Sequence, residues 1–199
     1  MTSQRESRFR SVIARRQPTL TVVFENVHDP HNIAACMRSC DAVGVMEIFI
    51  INNKEASSKR TGKKSSSSAR KWLAVHHFEN VADCFAEVRK KYAKIYSTKL
   101  GADSISLHDL RLTGSVALVF GNEHDGVSPE AAKLSDGNFL IPQFGMIQSL
   151  NISVACAVTL YEALRQRIAA GMYDAPQLSP AAAESLFQSW SEQDLRDKI

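Results

Sequence analysis

The chain has 199 residues, 44% hydrophobic and 23% charged, which is enough for one substantial core and too little for two. Its formal charge of +3 is unevenly spread: residues 1–71 hold 13 Lys/Arg against 6 Asp/Glu, the remainder 11 against 15. That asymmetry suits a polyanionic partner on the N-terminal side as well as it suits a plain solvated basic surface. Cysteines at 36, 40, 84 and 156 form neither a C-x-x-C pair nor a secreted disulfide ladder, so reduced thiols, a cytoplasmic location and no metal are expected.

In chain order, residues 1–10 carry three arginines and lack the apolar core of a signal peptide. Residues 4–16 are predicted helical up to the Gln17-Pro18 break. Leu20 to Glu25 (LTVVFE) and Met46 to Ile51 (MEIFII) read as buried strands. Between them, the spacing of Ile33, Met37 and Cys40 predicts a helix closed by Gly44. A strand, a helix and a strand in this order build parallel sheets. Lys54 to Lys71, with six Lys/Arg from Lys59 onward and four consecutive serines, reads as an exposed, mobile loop.

Further strands are expected at Leu73 to His76, Lys94 to Thr98, Val116 to Phe120 and Phe139 to Ile141, with a helix over Val81 to Tyr92. Ser149 is a candidate cap for a long helix reaching Ala169, apolar on most sides in its first two turns. A weaker helix is expected over 179–196. Gly137 to Tyr161 is uncharged for 25 residues, but Pro142, Gln143, Gln148 and Asn151 make it buried interior rather than a membrane span. The organisation is a basic helical extension over 1–18, one α/β domain over 19–170 and a helical tail over 171–199.

Three segments carry chemistry. At the first helix start, Asn32 and Arg38 could jointly hold an anion, although taken alone this spacing is better explained by a helix cap plus a surface arginine. Gly121-Asn-Glu-His-Asp-Gly126 follows a strand directly. Val127 stands where a phosphate loop needs lysine, and the glycine spacing is not that of a dinucleotide site, which disfavours a nicotinamide oxidoreductase. Ile141 to Asn151 is an uncharged loop with polar residues at its exit, suited to enclosing an adenosine.

Together these segments resemble the three motifs of the SpoU, or TrmH, family of RNA ribose 2'-O-methyltransferases within the SPOUT class. Asn32 and Arg38 match the first, Gly121-x-Glu123-x-x-Gly126 the second and Ser149-Leu150-Asn151 the third. The likeness runs from about Pro18 to Arg167. Arg15-Arg16-Gln17-Pro18 and Tyr161 to Arg167 further resemble the branch that methylates guanosine 18 in the D-loop of tRNA. The segment Ser65 to Trp72 departs from the family by replacing a glycine- and alanine-rich stretch, and the tail ends soon after Trp190.

The resemblance implies an α/β fold, a parallel sheet with a deep C-terminal trefoil knot and short helical N- and C-terminal extensions, working as a homodimer on tRNA with S-adenosylmethionine as methyl donor. It implies cofactor contacts from Thr98, Gly121, Ile141 and Leu150, and catalysis by Arg38 assisted by Asn32, Glu123, Ser149 and Asn151. Arg165 and Arg167 would support RNA binding or the site across the dimer. Arg8, Arg15, Arg16, Lys59, Arg60, Lys63 and Lys64 are the candidates for phosphate contacts. The alternatives are a ribose methyltransferase acting on rRNA or on the tRNA wobble nucleotide, and a non-catalytic RNA-binding protein of the same fold.

Overall fold

The computed structural model describes residues 1–52, 69–101, 103–147 and 149–196. The serine-rich basic segment expected to be a loop, with Lys59, Arg60, Lys63 and Lys64, lies outside the described residues. Seven strands form one wholly parallel sheet: β1 Leu20–Glu25, β2 Glu47–Ile51, β3 Ala74–Phe78, β4 Lys94–Thr98, β5 Ile105–Ser106, β6 Val116–Phe120 and β7 Gly137–Leu140. Their order is β3-β2-β1-β6-β4-β7-β5. β1, β2 and β6 are buried at every residue, as continuous apolar runs require when helices cover both faces of a sheet.

Two helices cover each face. On one, α2 (Pro30–Ala42) and α5 (Ile152–Ala169) enclose Val22, Phe24, Ile48, Ile50, Leu118 and Phe120. On the other, α3 (Val81–Val88) and α4 (Pro129–Leu134) cover Val23, Phe49, Ile51, Ala117 and Val119. The alternation of side chains along each strand divides the core into these two halves. The terminal helices α1 (Ser3–Ile13) and α6 (Pro180–Arg196) pack together, with Phe9, Ile13 and Trp190 buried between them. Arg5 pairs with Asp194 at 2.9 Å, and Arg10 lies 4.0 Å over the Phe187 ring. The two extensions therefore form one structural unit.

Several expected boundaries shift. α1 stops at Ile13, after which the chain turns towards β1, and α3 stops at Val88, ahead of Tyr92, whose hydroxyl donates to Glu47 at 2.9 Å. Helix α5 starts at Ile152, and its cap is Asn151 rather than Ser149: the Asn151 Oδ1 accepts the Ser153 N–H at 2.8 Å. The two-residue β5 pairs with β7 and has no sequence signal of its own. Strand β7 lies between β4 and β5, so the chain leaving β6 enters a gap whose two sides were laid down earlier. The described helices include none long and apolar enough to cross a membrane.

Candidate active site

The sheet order reverses between β1 and β6, and the loops leaving these two strands meet above their carboxyl ends, where open α/β sheets bind ligands. The loop after β6 is held by its own backbone. Asn122 is buried and its Oδ1 accepts the N–H groups of His124 and Asp125 at 2.9 and 2.7 Å. Gly126 has a φ of +65° and donates its N–H to the Asn122 carbonyl at 3.0 Å. A Cβ on Gly121 would collide with the backbone of Gly126 and Val127, so only glycine permits this closure. With this loop fixed, Glu123 is presented at its exposed crest.

A residue missed in the sequence anchors the loop's far end. Glu25, 1% exposed at the last position of β1, accepts the Ser128 N–H at 2.9 Å. Ser128 in turn caps α4 through its hydroxyl, which accepts the Ala131 N–H at 3.1 Å. The signal available was a carboxylate closing an otherwise apolar strand.

Three segments distant in sequence are linked here, with Glu123 at one end. Asp29 caps α2, its Oδ1 accepting the His31 N–H at 2.8 Å, which leaves the Asn32 side chain available for another partner. The Asn32 Nδ2 donates to Glu123 Oε1 at 2.5 Å, and the Asn151 Nδ2 donates to Asn32 Oδ1 at 3.2 Å. A chain of hydrogen bonds thus runs from the start of α5, through the first turn of α2, to the loop after β6. Asn151 caps its helix and joins this chain at once.

Beside that chain lies a cavity of about 450 Å³ at the carboxyl ends of β4, β6 and β7. This falls within the ~300–1,000 Å³ typical of small-molecule sites. All four expected cofactor contacts, Thr98, Gly121, Ile141 and Leu150, line it, together with Glu123 and Ser149. Thr98 donates its hydroxyl to the Val119 carbonyl at 3.1 Å and is fixed in the wall. Asn32, Asn151 and Arg38 are not among the lining residues. Arg38 is exposed on α2, six residues past Asn32 and therefore ~9 Å further along the helix, with no side-chain hydrogen bond or ion pair among the described residues.

The arginines divide sharply. Arg8 and Arg15 are exposed, Arg15 donating to the Ser11 hydroxyl at 2.7 Å. Arg16 is fully buried and is removed from the RNA-facing set: it pairs with Asp41 at 2.7 Å, donates to the Val45 carbonyl at 3.0 Å and stacks on Trp190. Arg167 is removed for the same reason. It is fully buried and donates to the carbonyls of Leu112, Thr19 and Gly114 and to the side chains of Gln17 and Thr19. Burial pushes the Arg167 guanidinium down to about 10, so it remains charged at neutral pH. Arg165 is exposed but tethered to Glu162 at 2.7 Å, and this hydrogen bond is the main cause holding the Glu162 carboxyl at about 2. All four cysteines are buried free thiols, and no metal-binding group of His, Cys, Asp or Glu occurs among the described residues.

Fold and site together define an α/β protein with a ligand cavity at the carboxyl ends of a parallel sheet and a polar cluster at the rim. The model of the SpoU rRNA methylase family matches residues 19–161, and the chain belongs to that family. It is 41% identical over 189 residues to the tRNA (guanosine(18)-2'-O)-methyltransferase of Thermus thermophilus, covering 95% of this chain and 96% of the relative. Among solved structures it resembles the Aquifex aeolicus TrmH/SpoU tRNA modifying enzyme, with a TM-score of 0.87 and 35% identity over 96% of both chains. It also resembles the SpoU methyltransferase AviRb of Streptomyces viridochromogenes in complex with AdoMet, at TM-score 0.67 and 25% identity, covering 78% of this chain and 62% of that one.

Proposed function

We propose that this protein transfers a methyl group from S-adenosylmethionine to the ribose 2'-hydroxyl of a tRNA nucleotide, the guanosine at position 18 of the D-loop. The observation that carries the proposal is the Asn151–Asn32–Glu123 hydrogen-bond chain at the edge of the cavity above the carboxyl ends of β4, β6 and β7, in a family whose relatives carry this activity in their names. The cavity fits the donor. Ile141, Leu150 and Phe139 offer apolar walls for an adenine, Gly121 allows close backbone approach, and the Glu123 carboxylate offers negative charge beside a cation. When bound, the sulfonium supplies an already activated methyl group, so the protein's task is alignment and removal of one proton.

Arg38 binds the phosphate next to the target ribose through its guanidinium donors. As the 2'-oxygen takes the methyl group, its proton passes to that phosphate. Glu123, Asn32 and Asn151 set the position of the ribose through their shared hydrogen bonds, and Ser149 faces the cavity at the exit of the loop. Glu25 is a positioning residue that keeps the Gly121–Gly126 turn in place through Ser128. Replacing Glu123 with alanine is expected to lower kcat/KM by about a hundredfold. Because Glu123 is exposed, Tm should move by less than about 2 °C. Parallel loss of activity and stability would make Glu123 a scaffold residue.

The protein is proposed to act as a homodimer. Helix α5 exposes Val154, Val158, Tyr161 and Ile168 at helical spacing, a stripe that its own chain leaves to solvent. The path of the chain between β4 and β5, with Gln166 and Arg167 of α5 bonded to residues 110–114, supports a knotted C-terminal half. Arg8, Arg15 and Arg165 on the surface, with the basic segment around Lys59–Lys64, supply sequence-independent affinity for phosphates. RNA affinity should therefore fall linearly in log–log terms with salt, and Arg8→Ala or Arg15→Ala should each lower that slope by about 0.7–0.9 for all RNA sequences alike. A flat salt response would exclude this role. Transfer of labelled methyl groups to bulk unmodified tRNA tests the activity itself; RNA binding without transfer would leave a non-catalytic RNA-binding protein.

A further inference from the structure

The cavity above β4, β6 and β7 is charged differently on two of its walls. The loop after β6 contributes Glu123 and Asp125, two carboxylates separated by His124. The loop after β4 contributes Lys99, the one lysine or arginine among the described residues that line the cavity. The rest of the wall is apolar, glycine, or carries amide and hydroxyl groups.

The backbone of Lys99 is held, and its side chain is not. Its N–H donates to the Phe139 carbonyl at 3.0 Å, which continues the pairing of β4 with β7, and its carbonyl accepts the Ser104 hydroxyl at 2.7 Å. Thr98, the residue before it, is fixed to the Val119 carbonyl at 3.1 Å. The exposed Lys99 side chain has no hydrogen bond or ion pair among the described residues. Its strand also stands apart from the residues assigned to the RNA: in the order β1-β6-β4, β4 lies two strand spacings, ~10 Å, from the strand that leads into α2 and Arg38. A cation on this wall therefore belongs to the donor cavity rather than to the face that receives the ribose.

S-adenosylmethionine carries three charges, a positive sulfonium, a positive α-ammonium and one negative carboxylate. The acidic wall suits the two cations and repels the carboxylate, whereas the ammonium on the opposite loop suits the carboxylate. We propose that Lys99 binds the carboxylate at the amino-acid end of the donor, and so selects a nucleoside whose amino-acid tail is intact. The inference rests on the reading of the protein as an S-adenosylmethionine-dependent methyltransferase and assigns that site a further specificity-determining residue. Because the Lys99 side chain is exposed, water screens the pair, and its contribution to affinity is about tenfold rather than larger.

Titration calorimetry on the full chain tests this with two ligands, S-adenosylmethionine and its decarboxylated form, which keeps the adenosine, the sulfonium and the amine and lacks the carboxylate alone. Lys99→Met removes the charge and keeps the length of the side chain. It is expected to weaken binding of S-adenosylmethionine about tenfold and that of the decarboxylated donor by less than about twofold, and Lys99→Arg should restore most of the lost affinity. Equal weakening of both ligands, or no weakening of either, would overturn the assignment. A raised KM for tRNA with unaltered donor affinity would overturn it as well and transfer Lys99 to the RNA. In each of these cases, methyl transfer by the parent chain leaves the proposed activity standing. A parent chain that binds neither nucleoside sinks that activity, and the inference with it.

Discussion

Replacing Arg38 with lysine is expected to lower turnover by about a hundredfold or more, with the dissociation constant for S-adenosylmethionine within about twofold of its original value. The separation of the two effects follows from position. Arg38 does not line the 450 Å³ cavity, so the donor's own contacts survive the change. It is exposed on α2 with no partner among the described residues, which leaves its five donors for a group brought by the RNA. A guanidinium grips a phosphate with two parallel hydrogen bonds, whereas an ammonium is a single point charge on a flexible stem. Lysine therefore keeps the charge and loses the alignment. Retention of more than about a third of the turnover would show that Arg38 does not set the geometry of the reacting ribose.

The second large effect concerns stability. Arg167→Ala is expected to cost on the order of 4 kcal/mol, because five hydrogen bonds from a buried cation disappear and their acceptors are left in the interior. These bonds tie the last turns of α5 to the start of β1 and to the 112–114 connection, three parts of the chain far apart in sequence. For a chain of this size the change corresponds to a fall in Tm of roughly 10 °C. Thermal unfolding followed by circular dichroism measures it. A fall of less than about 2 °C, accompanied by weaker tRNA binding, would return Arg167 to the RNA-contacting surface.

The contrast between these two arginines shows what the sequence could and could not reveal. β1, β2 and β6 were legible because a strand buried on both faces reads as a nearly continuous apolar run, and few other elements do. The segments around Asn32, Glu123 and Asn151 were legible as polar interruptions next to apolar strands and helices. Their hydrogen-bonded union was not, since it depends on how β1, β6 and α5 are arranged in space. In the sequence Arg16 reads as a phosphate contact of the basic N-terminal arm, and the family resemblance gives Arg167 a part in RNA binding or in the site across the dimer. What buries them is a set of carbonyl groups from Val45, Leu112 and Gly114, and backbone acceptors leave no mark in a sequence. Ser149 and Asn151 are both good caps two residues apart, and only the path of the backbone decides for Asn151. Glu25 escaped notice because it ends a strand as an isolated carboxylate, and its partner Ser128 lies 103 residues away.

The most direct measurement is methyl transfer to a tRNA transcript that carries 2'-deoxyguanosine at position 18 alone, compared with the all-ribose transcript. The account predicts label on the ribose of guanosine 18 in the all-ribose tRNA and none in the deoxy-substituted one, while both bind with similar affinity. Undiminished labelling of the deoxy-substituted transcript, or label on a base, would contradict it.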